Sequence, residues 1–448
     1  MPIFPYPNHM RMRLITTFCF VLISSLVEAQ TSTTQSLDEY LQHLESNNRF
    51  MGSVALMKAG KLVYKRTSGF ADVESGRRAD EETQYRIGSI TKTFTAVLIF
   101  QAIEDGKLSL ATKLQSFYPD IPNAATITIE HLLSHRSGIF NFTDAEDYLS
   151  WNTRPHSEKM LVDIITGGGS VFEPGSTFGY SNSNYVLLTL ILQKLYGKSY
   201  AQLLQEKITT PLHLARTTVG GITSPNQNQA HSYQWDTDWK KQQETDMSVP
   251  LGAGAIISTP KDITFFMKAL FDNQLLSANS FNMMLPSSGN VGMGLFQFPF
   301  NDKKVYGHTG GIDGFFAVTG YIPADDIAFA ITTNGSRINN NNVSIAVLSN
   351  AYGLPITMPT ISDYTHTATQ LAALTGVYSS DNIPLKIEVT VKGSILQAQA
   401  TGQPAFPLES FGENIFRFDA AGVVMEFSPA DNKMRLKQNG MTFFFEKD

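Results

Sequence analysis

The sequence predicts an α+β fold: an antiparallel sheet flanked by helices, with a helical region inserted between its strands and a small all-β barrel at the C-terminal end. Strand-like runs lie at residues 52–64 and again at residues 305–332, while residues from about 110 to 250 have the pattern of helices and long loops. Beyond residue 372, short alternating runs broken by glycines are typical of an antiparallel barrel or sandwich. One sheet built from both ends of the first domain is the simplest arrangement of these elements.

The sheet begins with a predicted hairpin, which follows a short helix at residues 37–44. Residues 52–57 and 62–64 are mostly apolar, and the turn Lys58-Ala59-Gly60-Lys61 separates them. The later strands are predicted at residues 252–257, 305–308, 315–321 and 327–332.

A long polar segment, residues 223–247, precedes these later strands and lacks clear periodicity. We predict a loop there, which contains Trp235 and Trp239. Loops of this length often shape substrate access, although a merely mobile loop is an equal alternative.

Length and composition indicate a globular protein of two or three domains. The chain has 448 residues, of which 42% are hydrophobic and 17% are charged, so it can bury a large core. Its formal net charge of −6 argues against nucleic acid as the main partner. The predicted boundaries are residues 30–358 for the first domain, 359–371 for a polar linker and 372–448 for the barrel. The sequence indicates neither a role for the barrel nor an oligomeric state.

Residues 1–29 are predicted to be a secretory signal peptide. Arg11 and Arg13 precede a mostly apolar run at residues 14–27, and Ala29 provides a small residue at the cleavage position. The alternative is a retained membrane anchor, although the apolar run is short for a bilayer span. Cleavage would leave a periplasmic or secreted protein with no stable membrane span.

The pattern Ser-x-x-Lys occurs twice, at Ser89/Lys92 and at Ser258/Lys261. A lysine held against a serine hydroxyl can make that hydroxyl nucleophilic near neutral pH. The second copy has the signature of a helix start, with Thr259 as the N-cap, a proline at the first helical position and an aspartate that completes a capping box. We therefore predict a structural role for the second copy.

The first copy has a different context. Residues 93–100 are mostly apolar, and Glu104-Asp105-Gly106 ends this run as a helix stop. The sequence therefore predicts a buried helix with Ser89 at its N-terminus and Lys92 one turn inside, where free N–H groups and the helix dipole favour negative charge. The alternative is that Ser89 is an ordinary N-cap.

Two further segments carry the proton donors and hydrogen-bond donors that an acyl-transfer site needs. Tyr180 and Asn182 lie in a glycine-bracketed turn directly before an apolar helix predicted at residues 186–195, where they could face a cleft. The alternative is a turn tyrosine followed by an asparagine cap. The second segment, Gly307-His308-Thr309-Gly310-Gly311, lies on a predicted strand whose glycines would permit the close approach of a substrate backbone.

These three segments, in this order, resemble the penicillin-recognising serine hydrolases, a superfamily that includes class C β-lactamases, D,D-peptidases, D-aminopeptidases and family VIII esterases. Ser89-Ile90-Thr91-Lys92 matches the Ser-x-x-Lys element, Tyr180-Ser181-Asn182 the Tyr-x-Asn element, and His308-Thr309-Gly310 the Lys/His-Thr-Gly element. The resemblance covers roughly residues 37–355. The part that opens at Leu374 resembles the lipocalin-like barrel that many such hydrolases append.

The resemblance implies how the reaction would run. Ser89 would attack the carbonyl group and become acylated, while Lys92 and Tyr180 would share the proton transfers. For Lys92 to act as a base, its pKa must fall from about 10.4 to near 7, which requires burial or a neighbouring cation. Which of the two residues is the base stays open, because the pair would titrate as a unit.

The resemblance also implies the residues that hold the substrate. Asn182 would hydrogen-bond the lysine and the substrate amide, and the backbone N–H groups of the serine and of Gly311 would form the oxyanion hole. His308, Thr309 and Gly310 would complete the binding surface. No metal and no cofactor are implied.

His308 departs from the lysine that many β-lactamases have at this position. Histidine is largely neutral at pH 7, so it would donate one hydrogen bond in place of a fixed cation that faces a substrate carboxylate. This weakens the case for an efficient β-lactamase. The resemblance therefore implies a serine acyl-hydrolase for D-amino-acid peptides or related small amides, with carboxylesterase or β-lactamase activity as the alternative.

Other interpretations fit the sequence less well. A Ser-His-Asp α/β-hydrolase would need a Gly-x-Ser-x-Gly elbow, which the chain lacks. His131 and His135 lack the glutamate of a zinc protease between them and are predicted to pack or cap a helix, and the only cysteine, Cys19, lies in the predicted signal. A non-catalytic penicillin-binding or sensor protein stays an alternative, although the intact set of catalytic residue types argues against it.

Overall fold

The computed structural model describes residues 36–448 apart from residues 237, 288, 363, 382, 394, 404 and 439. The predicted signal peptide, residues 1–29, lies outside the described residues together with Cys19, and the periplasmic or secreted location stays a prediction. Across the helices that can be described, none combines the length and the apolar character needed to cross a membrane.

Most helices are inserted between the strands of one large sheet. In chain order the α-helices are α1 (36–46), α2 (Thr91–Glu104), α3 (Ile129–Leu133), α4 (Tyr148–Trp151), α5 (Glu158–Gly168), α6 (Asn182–Tyr196), α7 (Tyr200–Leu204), α8 (Pro260–Phe271), α9 (Ala278–Met284), α10 (Asn340–Tyr352) and α11 (Ala368–Leu374).

The strands of the first domain form the large sheet and three small ones. They are β1 (Phe50–Lys58), β2 (Lys61–Ser68), β3 (Phe70–Asp72), β4 (Arg77–Arg78), β5 (Tyr85–Arg86), β6 (Thr218–Val219), β7 (Tyr233–Trp235), β8 (Trp239–Lys241), β9 (Ile256–Ser258), β10 (Phe296–Phe300), β11 (Lys303–Ile312), β12 (Phe315–Ile322) and β13 (Ile327–Ser336). The barrel strands are β14 (Gly376–Ser379), β15 (Lys386–Lys392), β16 (Ile395–Ala400), β17 (Phe406–Gly412), β18 (Ile415–Phe418), β19 (Val423–Ser428), β20 (Lys433–Gln438) and β21 (Met441–Lys447).

The large sheet confirms the predicted α+β fold. Its six strands are antiparallel and run in the order β10-β11-β12-β13-β1-β2, so the predicted N-terminal hairpin joins the C-terminal strands through the β1–β13 pair. Val54 on β1 lies opposite Ile331 on β13.

Helices cover both faces of this sheet, which explains why its central strands are apolar on both sides. Eight of the nine residues of β1 are buried. One face packs against α1 and α10 in a cluster that includes Leu41 and Val347. The other face belongs to a larger cluster with α2 and α8, in which Phe94 stacks on Phe266 at a centroid distance of 3.6 Å. Every side chain from Thr91 to Phe100 is buried, so α2 is a core helix as predicted.

Two local predictions in the first domain were wrong. Residues 252–257 were predicted as one strand of the large sheet, but a 3₁₀ turn occupies Leu251–Ala253 and only β9 is extended, in a separate sheet with β5 and β6. The loop predicted at residues 223–247 contains the hairpin of β7 and β8. Its two tryptophans, Trp235 and Trp239, lie opposite each other and pack edge to face at 5.2 Å.

The C-terminal part is a closed eight-stranded barrel rather than a sandwich. Neighbouring strands pair in chain order, and β14 closes the ring against β21 with Tyr378 opposite Lys447. The linker predicted at residues 359–371 is helical at its end, because α11 begins there behind a capping box on Thr367. Leu371 and Leu374 of α11 pack into the hydrophobic core of the barrel.

Charged side chains join the barrel to the first domain. The Glu409 carboxylate on β17 accepts a hydrogen bond from Arg337 Nη2 at 2.7 Å and also pairs with Arg49. All three side chains are largely shielded from solvent, which strengthens their mutual attraction.

Candidate active site

Ser89 lies in a 3₁₀ turn, Gly88–Ile90, that leads directly into α2. The predicted helix therefore begins two residues later than expected, at Thr91. The N-cap of α2 is Ile90, and no side chain caps this end. The alternative that Ser89 is an ordinary N-cap is therefore wrong, and its hydroxyl is available to other partners.

Lys92 points from the first turn of α2 to the serine. Its Nζ donates to Ser89 Oγ at 2.9 Å, to Asn182 Oδ1 at 2.7 Å and to the Ala253 carbonyl at 2.7 Å. The residue is fully buried, and burial holds the pKa of its amine well below the ordinary value. A buried amine of this kind can be neutral near pH 7 and accept a proton.

Tyr180 lies on the other side of the serine. Its hydroxyl donates to Ser89 Oγ at 2.9 Å, and burial raises the pKa of the phenol to about 12. The imidazole of His135 stacks on the Tyr180 ring at 4.3 Å, and Ser181 N donates to His135 Nδ1 at 3.2 Å. The two partners of the serine therefore differ: the phenol keeps its proton while the amine loses its proton readily.

Asn182 begins α6 and holds the lysine in place. Its Oδ1 accepts from Lys92, while its Nδ2 donates to Asn141 Oδ1 at 3.2 Å and to Thr143 Oγ1 at 3.1 Å. Asn141 Oδ1 also accepts from the Asn182 backbone N–H at 2.9 Å. The sequence analysis missed Asn141 and Thr143, because they match no motif and lie in a loop about 40 residues upstream.

The glycines of β11 allow this strand to lie close to the backbone around the serine. A side chain at Gly310 would place its Cβ 2.0 Å from the Ile87 carbonyl oxygen, and one at Gly88, where φ is +50°, would approach Gly311 N to 2.8 Å. Gly310 therefore lets β11 pack against the serine turn, which differs from the prediction that it receives a substrate backbone. Gly311 lines the open cleft. Its N–H and that of Ser89 could both face an oxyanion.

His308 is buried and does not line the cleft. The ring is buried, and its Nδ1 donates to the Thr309 carbonyl at 2.5 Å, so the one proton of the neutral imidazole is already used. Burial and the nearby Lys92 lower the pKa of His308 to about 3. The expectation that His308 donates a hydrogen bond to the substrate is therefore wrong for this arrangement. Thr309 is exposed on the opposite side of β11.

The serine opens onto a cleft of about 590 Å³, with Gly311 and Asn182 in its wall. The part of the chain that was predicted as a loop supplies another part of this wall. The contributing residues on that segment are Gln234, Gln242, Gln243 and Thr245. This segment therefore borders the cleft, which agrees with the interpretation that it shapes substrate access.

One wall of the cleft is fixed by buried charges. Arg86 Nη1 donates to Asp313 Oδ2 at 3.2 Å and to the Thr245 carbonyl at 2.6 Å, and Arg86 also pairs with Glu244 at 3.0 Å. Asp313 Oδ1 accepts from the Thr245 hydroxyl at 2.7 Å, and burial raises the pKa of Asp313. The sequence analysis missed this wall. The signal that could have revealed it is an arginine, Arg86, only three residues before the serine of the motif.

The remaining candidates have structural roles. Ser258 Oγ lies 2.8 Å from Thr217 Oγ1, and Thr259 caps α8 by accepting from Asp262 N. The predicted capping box is incomplete, because the Asp262 carboxylate instead accepts from Arg216 N at 2.9 Å. His131 forms part of the capping box of α3, and His135 packs on Tyr180. Within the described ranges, no group of three or more His, Cys, Asp or Glu residues is placed to hold a metal ion.

The chain is similar to several known proteins. Penicillin-binding protein 4* of Bacillus subtilis (strain 168) is 27% identical in an alignment over 308 residues that covers 62% of this chain and 67% of that protein. Teichoic acid D-alanine hydrolase of Staphylococcus aureus (strain MRSA252) is 27% identical over 274 residues, which are 61% of this chain and 64% of that protein.

A solved structure matches at similar identity. D-amino acid amidase from Ochrobactrum anthropi SV3, complexed with D-phenylalanine, has a TM-score of 0.64 and 26% identity, and the match covers 72% of this chain and 99% of that chain. A family model described as Beta-lactamase matches residues 37–351, which span the serine turn, the Tyr-x-Asn turn and β11. The predicted resemblance to the penicillin-recognising serine hydrolases is thereby confirmed, and the chain belongs to the β-lactamase family.

Proposed function

We propose that the protein is a serine acyl-hydrolase that cleaves D-amino-acid amides or short D-peptides through an acyl-enzyme on Ser89. The observation that carries this proposal is that Ser89 Oγ lies 2.9 Å from both Lys92 Nζ and the Tyr180 hydroxyl, beside an open cleft. The substrate class is supported by two similar proteins whose names specify a D-amino acid, the amidase and the teichoic acid D-alanine hydrolase.

Three hydrogen bonds donated by Nζ describe the ammonium form of Lys92; in the neutral amine, Nζ donates to Asn182 and to the Ala253 carbonyl and accepts from the Ser89 hydroxyl. In the acylation step this neutral amine takes the proton of the Ser89 hydroxyl, and Oγ forms a bond to the carbonyl carbon of the substrate. The amine suits this role because burial lowers its pKa, whereas the pKa of about 12 keeps the Tyr180 phenol protonated. The oxyanion that forms accepts hydrogen bonds from the N–H groups of Ser89 and Gly311. We therefore assign the base to Lys92.

Collapse of the tetrahedral intermediate breaks the bond between the carbonyl carbon and the amide nitrogen. Tyr180 gives its phenolic proton to that nitrogen, so that a neutral amine leaves, and the proton on the Lys92 ammonium restores the phenol. In deacylation, water attacks the ester carbon while the same pair removes the proton of the water and returns it to Ser89 Oγ. The products are the free acid and the amine, and the site returns to its first protonation state.

The experiment compares wild type with Ser89→Ala on a defined panel. Both proteins are incubated with D-phenylalanine amide, L-phenylalanine amide, a D-Ala-D-Ala peptide, an acyl ester and a fluorescent penicillin. Turnover is followed by chromatography, and the intact mass reveals covalent adducts. We expect faster turnover of the D-amide than of the L-amide by wild type, and neither turnover nor adducts with Ser89→Ala.

The other outcomes identify the alternatives or overturn the proposal. Preferred turnover of the ester or of the penicillin would replace the D-amide by the carboxylesterase or β-lactamase alternative. A Ser89-dependent adduct without turnover on any substrate would indicate a penicillin-binding sensor. Neither adduct nor turnover with wild type would overturn the catalytic proposal.

A further inference from the structure

A second cavity lies between the first domain and the barrel. Its volume is about 370 Å³. Trp235 and Phe316 contribute from the first domain, and Phe406, Phe418 and Asp419 contribute from the barrel. Neither domain alone would enclose this space, so the barrel takes part in forming it.

This cavity adjoins the cleft of Ser89. Gln234 and Asp313 line both spaces. Asp313 follows Gly311 by two residues, so the shared wall begins next to the proposed oxyanion hole. The two spaces are therefore neighbours, and a molecule bound at Ser89 would reach the space beside the barrel by extending past this shared wall.

Aromatic rings form much of the wall. Phe406 and Phe418 stack on each other with ring centroids 4.8 Å apart. The Arg337 guanidinium lies 4.0 Å from the centroid of the Trp235 ring and also pairs with Glu409. The cation in the wall is thus already engaged by an aromatic face and by a carboxylate, which leaves it little affinity for an anionic ligand.

Asp419 is the charged group of this wall that lacks a partner. Within the described part of the chain, its half-buried carboxylate makes neither a hydrogen bond nor an ion pair. Glu409, Arg417 and Arg49 act on it only through space. The two arginines are engaged elsewhere, Arg49 with Glu409 and Arg417 over the Phe411 ring. A partly desolvated carboxylate beside aromatic rings suits an ammonium group on an apolar stem.

We propose that this interdomain cavity is a second substrate subsite, which binds an ammonium-bearing side chain of a peptide whose scissile bond lies at Ser89. The aliphatic stem packs between Phe406, Phe418 and Trp235, and the ammonium pairs with Asp419. The inference rests on the proposed function and gives the barrel a role in substrate selection.

The test uses the full-length protein and peptides that differ only in one charge. Each peptide contains D-phenylalanine at the scissile bond and carries either lysine or norleucine one to three residues away, on the acyl side in one series and on the leaving side in another. We expect wild type to prefer lysine through a lower KM in one of the two series. Asp419→Asn should raise KM for the lysine peptide by about fivefold, with kcat and the norleucine peptide unchanged.

Two control variants separate the subsite from general effects on the barrel. Asp431→Asn changes an exposed carboxylate in a similar short turn of the barrel, and Phe444→Ala removes an exposed ring from it. Neither should alter the preference for lysine, whereas Phe418→Ala should weaken binding of both extended peptides and leave D-phenylalanine amide unaffected. The subsite is overturned if Asp419→Asn changes the lysine and norleucine peptides equally, or no more than Asp431→Asn does.

Failure of the subsite and failure of the proposed reaction can be told apart. Binding of the same peptides to Ser89→Ala is measured by calorimetry, which needs no turnover. Wild-type turnover of D-phenylalanine amide without any preference for lysine would overturn the subsite alone. Preference of Ser89→Ala for lysine peptides, abolished by Asp419→Asn, would support the subsite even if wild type hydrolyses nothing.

Discussion

Residues 89–92 and residues 258–261 share the Ser-x-x-Lys spacing, but their surroundings differ. Ser89 lies in a turn that continues into α2, and the buried Lys92 reaches its hydroxyl at 2.9 Å. Ser258 is the last residue of β9, its hydroxyl pairs with Thr217, and Lys261 is exposed on α8. In the first copy the serine and the lysine lie on one continuous turn and the lysine is buried, so the two side chains meet. In the second copy a strand ends between them and the lysine faces water, so they do not.

The difference has an energetic cost that only the first copy bears. Burial of the Lys92 amine disfavours its charged form, and three oxygen acceptors compensate this only in part, so the pKa of Lys92 falls. Such a cost is tolerated at functional sites because it produces a base. Lys261 is exposed on α8 and bears no such desolvation cost.

The largest expected effect distinguishes the two serines. Ser89→Ala should lower kcat for D-phenylalanine amide by at least about 10³-fold, because the nucleophile is removed. Ser258→Ala should keep kcat within about twofold of wild type, because this serine acts only on local packing. Ammonia release measures both rates. Equal losses in the two variants would show that the surroundings of the serine do not decide its chemistry.

Substitutions of the two lysines should differ in kcat by a somewhat smaller factor than substitutions of the two serines. Lys92→Met removes the proposed base while keeping an apolar stem of similar length, so kcat should fall by about 10²- to 10⁴-fold. Lys261→Met should have full activity. Thermal unfolding of both variants verifies that they are folded. An active Lys92→Met protein would transfer the role of the base to Tyr180.

The pH dependence tests the burial of Lys92. Because the neutral amine is the base, kcat/KM should fall as pH is lowered through the depressed pKa of Lys92, and should stay level above it until Tyr180 ionises near its pKa of about 12. The unfolded chain binds a proton at Lys92 more tightly than the folded one does. The stability of wild type relative to Lys92→Met should therefore rise with pH between the depressed and the ordinary pKa of lysine.

Initial rates and melting temperatures across a pH series measure both effects. Lys261→Met is the control, and its stability relative to wild type should not follow this course. A kcat/KM profile that is flat throughout the acid range, or a relative stability that falls with rising pH, would contradict the neutral amine.

The sequence predicted which residues meet at the site better than which residues hold them in place. Ser89, Lys92, Tyr180 and Asn182 were identified because each residue type in its motif has a chemical role. Asn141 was missed because it acts through a hydrogen bond to Asn182 across a loop, and such contacts have no fixed spacing in sequence.

The same reason explains the errors about His308 and the fold. A residue type reveals which hydrogen bonds a side chain can make, but not that the Nδ1–H of His308 already donates to the Thr309 carbonyl. Short apolar runs predicted the strands of the large sheet, because burial on both faces produces such runs. Strand alternation predicted the barrel well, because one-sided burial enforces it. It failed for the hairpin of β7 and β8, whose short strands are held by the tryptophan pair and not by a periodic apolar face.

Asn141→Ala should have a moderate effect on kcat, which would show whether residues outside the first Ser-x-x-Lys copy help to position Lys92. The substitution removes both hydrogen bonds to Asn182, so that the Lys92 amine is less well positioned, and kcat should fall about tenfold. Thr143→Ala removes only one hydrogen bond to Asn182 and should have a smaller effect. Steady-state kinetics with D-phenylalanine amide measure both. Full activity of Asn141→Ala would mean that its helix and Thr143 are enough to hold Asn182 in place.

The smallest effect should come from the second Ser-x-x-Lys copy, where a substitution should change only the free energy of unfolding. Thr259 accepts a hydrogen bond from Asp262 N at the start of α8, so Thr259→Ala should lower the free energy of unfolding by about 1 kcal/mol. Because Thr259 does not line the cleft, kcat should be unchanged. Ser157→Ala, which removes the cap of α5, is the matched control with a similar expected loss. A reduced kcat for Thr259→Ala with normal stability would give the second Ser-x-x-Lys copy a part in the reaction, and the contrast between the copies would then fail.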